Sequence, residues 1–154
     1  MPRSIGRLAA ALLASVVLTP GHAHALTKPE AAAAWVARAQ SFIAVLEDPA
    51  TNGGNILKRQ HEACRGLTGE RMKMGGYWPI WAAEGMASFC KSLDGFHGAI
   101  TVKDPCGELK KAGGYFAKAK PFGDSEAVVP TAERMVRMID VMRAGAREAG
   151  YRRC

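Results

Sequence analysis

"IWAAEGMASFCKSLDGFHGAI", residues 80–100, decides the fold class. Ile80, Ala83, Met86, Phe89, Cys90, Leu93, His97 and Ile100 recur in steps of three and four. That spacing places side chains on one face of an α-helix. Gly85, Gly95 and Gly98 each weaken the intrinsic propensity by up to ~1 kcal/mol. A glycine that faces a neighbouring helix instead permits close approach, so the pattern predicts a central helix.

The same period runs outward in both directions, and strand-type alternation is scarce. Upstream, "TKPE" (27–30) reads as a helix start. Thr27 suits the cap, Pro29 the first turn and Glu30 a capping box. Ala32, Trp35, Val36, Ala39, Phe42, Ile43 and Leu46 then give one apolar face. Pro49 and Asn52-Gly53-Gly54 are expected to end that helix. A second helix is expected from near Asn55, with Ile56, Leu57, Gln60 and Cys64 on one side. "RGLTGERMKMGGYWP" (65–79) reads as a loop carrying Met72, Met74, Tyr77 and Trp78. Downstream, "ITVKDPC" (100–106) reads as an extended connector. A short helix follows from about Gly107 to Lys118, interrupted by Gly113-Gly114. The last helix runs from about Thr131 to Ala149, with Ala132, Met135, Val136, Ile139, Met142 and Ala146 on one face. The expectation is an all-α domain, a small bundle of about five helices.

Residues 1–25 have the layout of a secretory signal peptide. Arg3 and Arg7 precede an apolar run from Leu8 to Leu18, Pro20-Gly21 breaks it, and Ala23-His24-Ala25 is a small-x-small cleavage site. The run is shorter than the roughly 20 residues a membrane span needs. No cysteine follows closely, which argues against a lipoprotein anchor. The reading is cleavage after Ala25 and one domain over residues 26–154, with no membrane span in the mature chain and export to a bacterial periplasm. The two signal arginines account for two of the seven net positive charges, leaving five on the mature domain. A mildly basic surface favours acidic partners or anionic envelope polymers. Nucleic acid does not fit this compartment, and no basic-aromatic motif calls for it.

Cys64, Cys90, Cys106 and Cys154 all lie in the mature chain. An even count in an oxidising compartment reads as two disulfides. Other chemistry fits less well. The mature histidines are His61 and His97, so Cys64 with His61, or Cys90 with His97, are the available Cys-His pairs. Oxidised cysteines would leave neither pair a nucleophile. His61-x-x-Cys64 lacks the second paired motif of a zinc site. Met72, Met74, Met135, Met138 and Met142 offer soft thioethers for Cu(I), but helical spacing reads the last three as core. Lys110, Lys111, Lys118 and Lys120 read as a solvated face rather than a membrane surface. The residues therefore point away from an enzyme or a metal site and toward a binding protein with no catalytic residue.

Several stretches, in order, resemble the Tai-type periplasmic immunity proteins, which protect bacteria against peptidoglycan amidases delivered by type VI secretion. "GGNILKRQHEAC" (53–64) resembles the family's first element, with Gly54, Asn55, Leu57 and Cys64. "SFCKSLDGFHGAI" (88–100) resembles the second, with Phe89, Cys90 and Gly95. "GELKKAGGYFAKAKP" (107–121) resembles the third, with Leu109, Tyr115, Phe116 and Pro121. "VVPTAERMVRM" (128–138) resembles the fourth, with Pro130, Ala132 and Val136, and "YRRC" gives the closing cysteine. The departures are Ser92 where the family has glycine, Leu93 where it has an aromatic, Gly95 offset by one residue, Cys106 closer to the following helix, a longer final helix, and the long gap from Cys64 to Cys90.

The resemblance implies a protein partner, an amidase effector toxin that this chain would bind and inhibit. It implies no cofactor, and family members commonly form homodimers. Exposed aromatic side chains on a loop make good interface anchors, and Tyr77 and Trp78 are the candidates here. The alternative for Trp78 is packing back onto the core. Four cysteines can pair in three ways. The pairing expected is Cys64–Cys90, joining two adjacent helices, and Cys106–Cys154, pinning the end of the chain. The rival function is a general secreted helical envelope, stress or secretion-assembly protein.

Overall fold

The computed structural model describes residues 26–65, 67 and 76–154. The expected signal segment 1–25, and Met72 and Met74, lie outside the described residues. Five helices are bounded among the described residues, α1 (Lys28–Glu47), α2 (Gly53–Cys64), α3 (Ile80–His97), α4 (Pro105–Phe116) and α5 (Val128–Glu148), and no strand is found among them. The fold is all-α, as the periodicity predicts. Main packing contacts join helices consecutive in the chain, and α5 closes the ring against α1.

Local chemistry sets the boundaries. At α1, both the N–H and the hydroxyl of Thr27 donate to the Glu30 carboxylate, at 2.7 and 2.8 Å. At α2, the Asn52 carboxamide oxygen accepts the Asn55 N–H at 3.0 Å. Gly53-Gly54 therefore form the first turn of α2 rather than a break before it. A capping side chain satisfies an amide that the first turn leaves free, and this outweighs the poor propensity of two glycines. α4 begins the same way, with Asp104 Oδ1 accepting the Gly107 N–H at 2.9 Å. It starts two residues earlier than expected and continues through Gly113-Gly114 without interruption.

α3 is the central helix, and Met86, Phe89, Cys90 and Leu93 of its expected face are buried, but Ile80, His97 and Ile100 at or beyond its ends are not. Trp81, Ala82, Gly85, Met86, Phe89, Cys90 and Leu93 are buried, whereas Ile80 is 77% exposed and Ile100 48%. Ile80 is the first residue after the Pro79 cap, and the larger Trp81 takes the inward position. Gly98, at φ 77°, ends the helix before Ile100. Gly85 is the close approach the sequence predicts. A Cβ there would lie 2.5 Å from Cε1 of Phe116 on α4.

One apolar cluster forms the core. Trp35 packs edge-on against Trp81, Phe116 and Phe122, with ring centroids 5.0, 6.1 and 6.3 Å away. Phe42 meets Phe89 at 5.1 Å. Met135 and Met138 of α5 are buried in this cluster and Met142 packs against it. These three methionines are core residues.

Across the α3–α4 contact, Glu108 accepts hydrogen bonds from Lys91 at 2.9 Å and Lys111 at 3.1 Å, with its side chain 12% exposed. The Lys91 hydrogen bond holds the Glu108 carboxyl below its ordinary value of 4.5. Burial acts in the opposite sense, and Lys111 adds to the lowering. The folded state thus binds its proton more weakly than the unfolded chain. The stabilisation is complete above the ordinary carboxylate value and is lost as pH falls through the lowered one. E108Q is expected to cost about 1 kcal/mol at neutral pH. In urea titrations, the gap to the native chain should close as pH drops below the ordinary carboxylate value and through the lowered one. A gap that stays constant on acidification would remove the charge from the account.

Candidate functional site

Both expected cysteine pairs are present. Cys64–Cys90 joins α2 to α3 with Cα atoms 5.6 Å apart, and Cys106–Cys154 joins the start of α4 to the segment after α5 at 4.8 Å. No cysteine is free. Cys64 and Cys90 are each other's partners, so neither Cys-His pair contains a thiol.

Tyr77 and Trp78 are divided by the fold. Tyr77 is 40% exposed and Trp78 only 7%. The Trp78 indole N–H donates to the Ala31 carbonyl of α1 at 2.9 Å. Trp78 is therefore an internal clamp and not an exposed anchor: a buried indole reaches its best free energy when its N–H has a partner, and Ala31 supplies one. The clamp fixes the backbone on which Tyr77 and Ile80 stand. Ile80, a core position by its spacing, is instead the most exposed large apolar side chain among the described residues. Its position in the first turn, directly after Pro79, is the available signal.

A second cluster crosses from α2 to α3 beside the disulfide. His61 Nδ1 lies 2.5 Å from Asp94 Oδ1, and the His61 ring stacks on His97 with centroids 4.7 Å apart and planes 11° from parallel. Residues before Cys64 thus meet residues after Cys90, as antiparallel helices require. A carboxylate on Nδ1 fixes that nitrogen as the donor. The ring lone pairs of two stacked imidazoles lie in nearly parallel planes and do not converge on one ion. No group of three or more His, Cys, Asp or Glu residues is placed to hold a metal among the described residues. Gln60, one turn from Cys64, is fully buried, and its amide makes no hydrogen bond among the described residues.

Among the described residues no helix is long and apolar enough to cross a membrane. No protein-family model matches the chain, and no curated protein or solved structure is detectably similar to it.

Proposed function

We propose that this protein is an exported immunity protein that binds a peptidoglycan amidase effector of type VI secretion and blocks its cleft. On this reading residues 1–25 direct it to the periplasm and are removed after Ala25. The observation that carries the reading is the Tyr77–Ile80 projection: two apolar side chains, 40% and 77% exposed, on a backbone clamped by buried Trp78. Large apolar groups held ready in water are what a tight interface buries, and a fixed backbone lowers the entropy lost on binding. The ordered resemblance from Gly54 to Cys154 supports the same reading, and two disulfides suit an oxidising compartment.

The test is rescue from toxicity. Amidase effectors are exported to the periplasm of a sensitive host with and without this protein, starting with any effector encoded beside its gene. The exported form is expected to rescue, and a form lacking residues 1–25 is not. The double variant Y77A/I80D should keep its thermal stability and bind the effector at least about 30-fold more weakly, as loss of a central anchor does. Failure of the native chain to rescue against the whole panel, at good periplasmic levels, would refute the reading. Unchanged binding by Y77A/I80D would move the interface elsewhere.

A further inference from the structure

The segment after α5 folds back onto the start of α4. Gly150 takes a φ of 97°, the Tyr151 N–H donates to the Ala146 carbonyl at 2.9 Å, and the Cys154 N–H donates to the Tyr151 carbonyl at 3.0 Å. The Cys106–Cys154 disulfide fastens this return, and Arg147 Nη1 donates to the Cys154 carbonyl at 3.1 Å. Between the two segments lies an open cavity of about 350 Å³. Lys103, Arg152 and Arg153 surround it, and Tyr151 and Pro105 give it apolar walls. The Tyr151 ring is 44% exposed and is held edge-on against Phe96, with centroids 5.0 Å apart.

The lining of this cavity carries more positive than negative charge. Lys103, Arg152 and Arg153 are exposed, and none makes an ion pair among the described residues. The one carboxylate in the lining, Asp104, is held by the Gly107 N–H at the start of α4. Three cations and one carboxylate leave two positive charges around one concavity.

We propose that this cavity binds a phosphomonoester dianion carried on an apolar or aromatic group. A phosphomonoester bears about −1.5 to −2 charge at neutral pH, which matches the local excess. A single carboxylate would match only half of it. The guanidinium fork donates two parallel hydrogen bonds to such an oxyanion. Tyr151 and Pro105 offer the surface against which the esterified group packs. The ligand is either a free phosphate ester or the headgroup of a phosphomonoester lipid. The site does not depend on the Tyr77–Ile80 reading.

The oxidised protein is titrated with phenyl phosphate at low ionic strength, followed by backbone amide shifts. It is also cosedimented with vesicles containing phosphatidate in phosphatidylcholine. Saturable shifts centred on residues 103–106 and 151–153 are expected, with benzoate at least about fivefold weaker, because it brings one charge rather than two. R152Q/R153Q is expected to weaken binding at least about tenfold. K118Q/K120Q, which removes the same charge beyond the other end of a helix about 18 Å long, is expected to change it less than about twofold. Pelleting with phosphatidate vesicles supports the lipid source, and phenyl phosphate binding without pelleting supports a free ester. Absence of saturation to about 20 mM phenyl phosphate together with no pelleting, or equal losses in the two double variants, would overturn the site.

Discussion

Replacing Trp35 with alanine is expected to lower the unfolding free energy by about 3–5 kcal/mol, which corresponds to a fall in Tm of roughly 10–20 °C. Trp35 is fully buried, and its ring meets Trp81 of α3, Phe116 of α4 and Phe122 of the loop before α5. Removing it opens one cavity against three elements that cannot all move inward together, so little of the loss is recovered by collapse. W35F should cost far less, about 1–2 kcal/mol. It keeps an aromatic ring, and the indole N–H it deletes has no hydrogen-bond partner among the described residues. Urea unfolding of the two variants checks this. Equal costs would mean that the site depends on the indole and not on filled volume.

The elements that were legible in the sequence were those whose signal is local. The TKPE start of α1 and the apolar period of α5 each depend on residues a few positions apart, and the elements lie close to where that spacing puts them. Gly85 was legible as a close approach, because a glycine in a strong apolar period needs a packing reason, and Phe116 is that reason. The errors arose where two local signals compete. Gly53-Gly54 signals a break, but Asn52 beside them signals a cap, and the cap wins. Ile80 and Trp81 both fit an inward position, and only the aromatic cluster around Trp35 decides between them. Tyr77 and Trp78 present the same pattern in sequence. What separates them is the Ala31 carbonyl, 47 residues away. The His61–Asp94–His97 cluster was illegible for the same reason, since it joins residues 33 apart in the chain across the α2–α3 contact.

That bond governs the most local of the large effects. Closing a separation of 26 residues corresponds to about 3.5 kcal/mol by the chain-entropy account, and closing 48 to about 4. Either is a large share of the 5–15 kcal/mol typical of a domain. The two losses should nevertheless look different. α2 buries only Gln60 and Cys64, whereas α1, α3 and α5 each bury six or more residues. Without Cys64–Cys90, α2 keeps the partial packing of Leu57 and Ala63 on the core, the His61–His97 stack, and two partly buried polar contacts, the Arg38 hydrogen bond to the Ala63 carbonyl and the His61–Asp94 contact. Those two polar contacts are worth about 1–3 kcal/mol between them, little more than the Gln60 amide costs when buried without a partner. C64S/C90S is therefore expected to release α2 before the rest of the domain. Amides of residues 53–64 should exchange at least tenfold faster, about 1.4 kcal/mol less protected, while those of α3 and α5 slow to exchange only through global unfolding. C106S/C154S should leave α2 protected and expose residues 150–154 instead. If α2 amides in C64S/C90S remain as protected as those of α1, then α2 is held by its packing and not by its bond. The Tyr77–Ile80 projection provides the contrast, because its clamp is the Trp78–Ala31 hydrogen bond and not a disulfide. Effector binding should then survive the loss of Cys64–Cys90 at temperatures where the domain stays folded, and weaken with W78F, which keeps an aromatic ring but deletes the N–H and part of the indole.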